Sequence, residues 1–190
     1  MRFLARLLSV VIPLSLMLGG PSQAREWEVI KSSGTILAAT EGGFQPFNYY
    51  DGPKLTGFEV DLAEAIAKLG LKLEWKVVAF DAQLAALKQD RFDFAIASHG
   101  YTEERAKSVD FANPHYCTGG QIAAAKDGPL TVASLNGMTV CVQLATTYAD
   151  AARKIKGLKN VKTYKGDPEA FSALRAKKVD AWISDKFTVK

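Results

Sequence analysis

Polar and charged side chains follow four predicted strands, in positions suited to binding a small molecule that carries both charges. The strands are predicted at 35–39, 92–97, 139–143 and 179–184. In open parallel sheets, ligands bind beyond the carboxyl ends of the strands. The residues that this rule selects are Glu41, Phe44, Phe47, Ser98, His99, Gly100, Thr102, Arg105, Ala145, Thr146, Thr147, Ser184 and Asp185.

Three kinds of group in this set complement a zwitterion. Arg105 can hold a carboxylate through two parallel hydrogen bonds. Thr146 and Thr147 open a predicted helix, whose free N–H groups and dipole favour an anion. Asp185 can pair with an ammonium group. We therefore predict a binding site for a small molecule with a carboxylate and an amine.

Each of these residues also has an ordinary structural explanation. Arg105 sits among Glu103, Glu104 and Lys107, as on a solvated helix face. A threonine at a helix start is usually a cap, and an aspartate after a strand is often a turn residue. Phe44 and Phe80 are apolar pocket walls or core residues. The sequence leaves these alternatives open.

Catalytic and metal-binding motifs are absent from the sequence. It contains no Gly-x-Ser-x-Gly, His-Glu-x-x-His, phosphate-loop or dinucleotide pattern. Two cysteines, Cys117 and Cys141, and two histidines lie at no recognised metal-ligand spacing. No cofactor is expected, and whether the cysteines form a disulfide stays open. His99, at a strand end, is the residue to test as a base.

The first 24 residues have the pattern of a secretory signal. Arg2 and Arg6 precede an apolar run from 7 to 18, and Ser22 to Ala24 form a small-x-small cleavage site. Without residues 1–24 the net charge falls from +4 to +2, too weak and dispersed for nucleic acid. We predict an exported, soluble, periplasmic protein.

Short apolar runs alternate with helical patterns, which predicts βαβ units on a parallel sheet. Further strands are expected at 71–77 and 161–164, and a loop at 41–57. Helices are expected to begin at caps Asp61, Asp81, Thr146 or Thr147, and Asp167, the first of them ending at Gly70. Residues 84–98 echo residues 171–185 at an offset of 87, which favours two similarly built lobes over a chance likeness of α/β units.

Five short motifs stand out: Phe44-x-Pro46-Phe47, Gly57 to Ala63, Phe80-Asp81, Thr102 to Ala106 and Val109 to Phe111. Together they resemble family 3 extracellular solute-binding proteins, which serve ABC importers for polar amino acids. The resemblance implies an α/β, two-lobed, periplasmic-binding-protein-like (type II) fold. Residues 25–116 would form lobe 1 and residues 117–190 lobe 2. Because family members usually continue well past the position of Asp185, the chain is expected to be truncated at its C-terminus.

The resemblance also implies residue roles and partners. Arg105 would clamp an α-carboxylate with help from Thr146 and Thr147, and Asp185 would bind the α-ammonium group. Phe44 and Phe80 would line the side-chain pocket, Glu41 would meet the ligand's polar end, and Ser98 and Gly100 would contact the ligand. The expected partners of this monomer are an amino acid and the membrane permease of an ABC transporter.

Three positions depart from the family pattern. Gly100 replaces a usual Ser or Thr, His99 a common apolar residue, and Ala145 a frequent Gly. These changes extend the expected ligands to a non-standard amine or acid. An enzyme on the same scaffold, a dehydratase of cyclic dienyl acids, is the alternative. It would need His99 or Glu41 as its acid or base.

Overall fold

The computed structural model describes residues 25–68 and 70–189, so the predicted signal segment lies outside the described residues. The helices are α1 Trp27–Ser33, α2 Phe58–Ala67, α3 Phe80–Leu87, α4 Glu103–Ala106, α5 Thr147–Lys154 and α6 Asp167–Arg175. The strands are β1 Thr35–Thr40, β2 Gly43–Phe44, β3 Asn48–Asp51, β4 Lys54–Thr56, β5 Lys72–Val77, β6 Phe94–Ala95, β7 Gly120–Ala124, β8 Thr139–Gln143, β9 Asn160–Tyr164 and β10 Ala181–Asp185. None of the described helices is long and apolar enough to cross a membrane.

The first half of the chain, α1 to α4, is built on a parallel sheet with the order β5-β1-β6. Ala38 and Ala39 at the centre of β1 are fully buried. Small side chains there let helices approach the sheet closely, and the apolar core lies on its two faces. One core cluster is Ile30, Ile36 and Ala67, and the other is Ala39, Ala86 and Phe92.

The second half, β7 to β10, contains a sheet with the order β7-β10-β8-β9. Strands β10, β8 and β9 are parallel to one another, as the sequence predicts. Strand β7, which pairs antiparallel with β10, was not predicted from the sequence. The strand is short and begins with a glycine, and its polar Gln121 interrupts the apolar pattern, so its sequence signal is weak. All five residues of β10 are buried.

The predicted loop at 41–57 is wrong in part, because it contains the antiparallel strands β2, β3 and β4. Gly57 closes this small sheet against α2. Its φ is +121°, and a Cβ there would lie 2.3 Å from the carbonyl oxygen of Phe47. Only glycine fits this backbone position.

Three predicted helix caps are wrong, each by one to four residues. The first N–H groups of α2 donate to the Pro46 and Phe47 carbonyls, so the helix begins at Phe58 and Asp61 lies inside it. The helix ends at Ala67, before Gly70. Asp81 lies in the first turn of α3, where its charge favours the helix dipole.

The two remaining helices of the second half have distinct starts. Asp167 is the first residue of α6 rather than its cap, because its carboxylate faces inward to Trp182 and Ser184. The predicted threonine cap of α5 is confirmed as Thr146, whose hydroxyl oxygen accepts the Ala149 N–H at 3.1 Å.

The predicted strand at 92–97 is reduced to Phe94–Ala95. These two residues pair with Ala38 and Ala39 of β1 and are half-buried. The chain turns at Ser98, whose φ of +58° ends the extended backbone.

The echo at an offset of 87 is a structural repeat. Asp90 and Lys177 both have φ of +56° in the turn after a helix. Asp93 accepts the Leu37 N–H at 2.7 Å, and its counterpart Asp180 accepts the Thr139 N–H at 2.8 Å. In each half, an aspartate thus accepts a hydrogen bond from the backbone near the start of a neighbouring strand and fixes its position. The lobe boundary at 116/117 stays a prediction.

Candidate functional site

A cavity of about 1150 Å³ lies between the two halves of the chain. Its lining includes all nine residues predicted to bind ligand: Glu41, Phe44, Phe80, Ser98, Gly100, Arg105, Thr146, Thr147 and Asp185. Strands β1 and β6 from the first half and β8 and β10 from the second end at this cavity. The residues that were selected because they follow the carboxyl ends of strands therefore lie around the same cavity.

Arg105 bridges the two halves across the cavity. It lies in the short helix α4, whose cap Thr102 accepts the Arg105 N–H at 3.1 Å. Its guanidinium donates to the Gly100 carbonyl at 2.7 Å and to the Ala145 carbonyl at 2.8 Å. Partial burial lowers the pKa of Arg105, yet an arginine stays charged in proteins. A guanidinium has five donors, so others are left for a ligand.

An aromatic stack supports this arginine. Phe80 is buried, and its ring stacks on His99 with the centroids 4.1 Å apart. The Arg105 guanidinium carbon lies 5.7 Å from the Phe80 ring centroid, within the distance of a cation–π contact. Phe80 therefore serves as core residue and cavity wall at once. Phe44 does the same and stacks on Phe47 at 5.2 Å.

His99 is held neutral in a defined tautomer. Gln83 is fully buried and its amide nitrogen donates to the Val78 carbonyl, so its oxygen faces His99 Nε2 at 3.1 Å. The proton of His99 must then lie on Nε2. Burial, reinforced by the Arg105 charge, lowers the pKa of His99 to about 3. Its Nδ1 is a buried acceptor without a hydrogen-bond partner among the described residues.

Glu41 faces the second half of the chain. Its Oε2 accepts a hydrogen bond from Gln143 Nε2 at 2.6 Å. The pKa of Glu41 is raised to about 7, mainly by burial and also by the nearby carboxylates of Asp167, Glu59 and Glu169, while the Gln143 hydrogen bond acts in the opposite direction. This side chain is therefore partly protonated at neutral pH, and a cation beside it would favour its ionised form.

Asp185 ends β10 and is 1% exposed. Its two oxygens accept hydrogen bonds from the Tyr148 hydroxyl at 2.9 Å and from the Phe187 N–H at 2.8 Å. Burial together with this carboxylate raises the pKa of Tyr148, so the phenol remains a donor. Each oxygen of a carboxylate accepts two hydrogen bonds, and Asp185 keeps capacity for an ammonium group.

The cavity residues that were not selected from the sequence include three polar side chains hydrogen-bonded to or near the predicted ones: Gln143, Tyr148 and Asp167. Asp167 follows β9 at the same sheet edge as the predicted residues, and the strand-end rule would have selected it had it not been taken as a cap. Trp182 and Ser184 donate to its oxygens at 3.1 and 2.6 Å. Burial raises the pKa of Asp167 to about 6.

A fully buried carboxylate positions the Ser98 segment. Glu59 of α2 accepts the Ser98 N–H at 2.7 Å and the Asn48 amide at 2.6 Å. His115 approaches the same carboxylate at 2.9 Å. Helix α2, strand β3 and the chain leading to the second half therefore meet at one group behind the cavity wall.

The two cysteines are free thiols, Cys117 exposed and Cys141 buried. Burial raises the pKa of Cys141 to about 12, so this thiol is unreactive. No group of three or more His, Cys, Asp and Glu within residues 25–68 and 70–189 is placed to hold a metal ion.

The fold and the cavity define a two-lobed α/β protein with opposite charges at the interlobe site. The model of the bacterial extracellular solute-binding proteins, family 3, matches residues 36–176. This chain belongs to that family.

Among curated proteins, the chain is 36% identical over 163 residues to the L-cystine-binding protein TcyJ of Escherichia coli (strain K12). It is 35% identical over 159 residues to a probable histidine-binding protein of Campylobacter jejuni. The matches cover 83% and 82% of this chain but only 61% and 62% of those proteins. The chain thus spans about three fifths of the length of these relatives.

Solved structures show the same fold. The arginine-bound form of truncated ArgBP from T. maritima matches with a TM-score of 0.80 and 35% identity, over 85% of this chain and 78% of that one. The ancestral amino acid-binding protein AncCDT-1, a precursor of cyclohexadienyl dehydratase, matches with a TM-score of 0.79 and 31% identity, over 84% and 74%.

Proposed function

We propose that this protein captures a polar amino acid, or a similar small zwitterion, for an ABC importer. The observation that carries the proposal is the placement of Arg105 and of Asp185 with Glu41 on the lining of one cavity. A ligand carboxylate complements the positive charge of Arg105, and a ligand ammonium group complements the acidic side chains of Asp185 and Glu41. Binding involves no reaction, and the protein acts by presenting its ligand to a membrane permease.

The residue roles follow from the free hydrogen-bonding capacity at each position. Arg105 binds the ligand carboxylate while its contacts with Gly100 and Ala145 hold it across the cleft. Thr147, in the first turn of α5, adds its hydroxyl and N–H. Asp185, fixed by Tyr148, binds the ammonium group.

The acidic side of the cavity favours a ligand with a second positive group. Glu41 and Asp167 both have pKa values raised by burial, to about 7 and about 6, and each would ionise fully beside a cation. ArgBP of T. maritima is bound to arginine in its structure, and the Campylobacter jejuni relative is a probable histidine-binding protein. We therefore rank cationic amino acids first in a ligand screen.

Capture requires the two halves to move relative to each other. Within the described residues, two hydrogen bonds join them across the cavity, Arg105 to Ala145 and Glu41 to Gln143. Lobes at 25–116 and 117–190 would open by breaking these contacts and close again over a ligand, a hinge motion. We place the protein in the periplasm as a monomer, exported through the segment at 1–24.

A thermal-shift screen of the full chain against amino acids and polyamines tests this function. A ligand that binds only the folded form raises the melting temperature, by an amount that grows with the logarithm of its concentration divided by its Kd. We expect at least one zwitterion to raise it, with calorimetry then giving a Kd. If no amino acid, amine or organic acid binds at millimolar concentration, the proposal is wrong.

One observation favours the dehydratase alternative. The pKa of Glu41 near 7 suits a general acid–base group. Incubation with a cyclic dienyl acid, followed by the ultraviolet absorbance of an aromatic product, tests it. Turnover that is lost in Glu41→Gln would establish this activity, and absence of turnover in the wild type would exclude it for that substrate.

A further inference from the structure

The charges of this chain are segregated along its length. Residues 153–190 contain 11 basic and 4 acidic residues, a net charge of +7. Residues 25–152 contain 11 basic and 16 acidic residues, a net charge of −5. The small net charge of the whole therefore conceals a strongly basic terminal segment.

The topology gathers much of this positive charge at one end of the second sheet. The helices α5 and α6 start near the cavity and return to the ends where β9 and β10 begin. Exposed lysines lie at the last turn of α5, in the loop before β9 and in the turn after α6. We name the following set the basic end: Lys154, Lys156, Lys159, Lys177 and Lys178.

The charges of the basic end are not neutralised by ion pairs. None of its lysines forms one with any residue in the described part of the chain. Asp180 lies close to these lysines in sequence, directly before β10. Its carboxylate accepts a hydrogen bond from the Thr139 N–H instead of pairing with a lysine. Lysines on the edge strand β9, such as Lys162, also discourage strand pairing. The basic end lies off that strand, so edge protection does not account for it.

Exposed aliphatic side chains occur at the same end of the sheet. Strand β7 runs antiparallel to β10 and finishes at Ala124, opposite the first residue of β10. The following segment carries Leu130 and Val132, which are 74% and 58% exposed. This segment contacts the loop before β9, which carries lysines of the basic end, because the Gly137 N–H donates to the Gly157 carbonyl at 2.7 Å.

We propose that the basic end, with Leu130 and Val132, binds the surface of an anionic phospholipid bilayer. Lysines attract the negative surface through flexible stems, and short aliphatic side chains enter the headgroup region. The cavity lies at the opposite ends of the strands, so a bilayer-bound molecule keeps it accessible. This surface is separate from the ligand site and does not depend on the proposed function.

Co-sedimentation with lipid vesicles tests the proposal. The full chain is mixed with vesicles of phosphatidylcholine alone, or with about a third phosphatidylglycerol, at low and high salt. Each basic residue near such a surface contributes about fivefold to binding. We expect binding to the anionic vesicles, with a strong decrease as salt screens the charges.

Two matched variants separate the basic end from other sources of binding. Lys156→Glu/Lys159→Glu/Lys178→Glu should weaken binding by at least about 100-fold, from the loss of three such contributions. The control Lys54→Glu/Lys68→Glu/Lys76→Glu changes the net charge equally in the first half and should bind like the wild type. Residues 1–24 are present in every variant, so their contribution is common to all.

A third variant guards against misfolding. Lys156→Gln/Lys159→Gln/Lys178→Gln introduces no new charge and should still lose most of the vesicle binding. All three variants should keep the melting temperature of the wild type. Equal vesicle binding by the two glutamate variants, or binding to anionic and neutral vesicles alike, would overturn the proposal. An absence of vesicle binding by the wild type would do the same.

Discussion

Arg105→Ala is expected to weaken ligand binding by roughly two to four orders of magnitude. The guanidinium can offer a carboxylate two charge-assisted hydrogen bonds, each worth about 1.5–3 kcal/mol when the site is partly buried. Their loss of about 3–6 kcal/mol corresponds to roughly a 150- to 20,000-fold increase in Kd. The variant also loses the bridge from Gly100 to Ala145 that joins the two halves.

Calorimetry with the ligand found by the thermal-shift screen measures the effect. Arg105→Lys keeps the charge but not the planar fork, so its Kd should lie between those of the wild type and the alanine variant. Arg153→Ala is the matched control, because Arg153 pairs only with exposed Asp150 on the surface of α5. A Kd for Arg105→Ala within about threefold of the control would refute the assigned role; such a ratio is under 1 kcal/mol.

Three further predictions follow from the titrating and strained residues. A cationic ligand should lower the Glu41 pKa of about 7 and release up to about half a proton per molecule at pH 7, measured by calorimetry in buffers of different ionisation enthalpy and lost in Glu41→Gln. Because the pKa of His99 is about 3 in the folded protein, the unfolded chain binds the extra proton below its ordinary value of about 6.5. When the pH falls from 7 to 3, the unfolding free energy of the wild type should therefore decrease by up to about 4 kcal/mol more than that of His99→Leu. Urea denaturation of both proteins at the two pH values measures this difference. Ala145 has φ of +61°, so Ala145→Gly should raise the unfolding free energy by about 0.5–1 kcal/mol and leave ligand binding unchanged.

The sequence predicts which residues reach the cavity better than it predicts the bounds of the elements that carry them. Parallel strands place their carboxyl ends at one edge, so the residues after β1, β6, β8 and β10 reach one cavity even though the strand bounds are inexact. The Arg105 contact with Ala145, by contrast, joins residues 40 positions apart. No local pattern encodes such a contact.

Errors in the sequence analysis arise where tertiary contacts replace local ones. Asp61 and Asp167 look like caps, but carbonyls of the β2–β3 region satisfy the start of α2, and Asp167 turns inward to Trp182. The short strands β2 to β4 were missed because glycine, proline and aromatic residues in this segment favour a loop. The tautomer of His99 depends on Gln83, which is 16 residues away in sequence.

Two ligand analogues test the claim that opposite charges hold a zwitterion between the halves. Calorimetry compares the bound amino acid with its α-amide, which lacks the carboxylate charge, and with its deaminated acid, which lacks the ammonium group. Each analogue should bind at least about 100-fold more weakly, since each leaves one charged partner, Arg105 or Asp185, unpaired in the cavity. Equal affinity of both analogues and the parent amino acid would contradict the account.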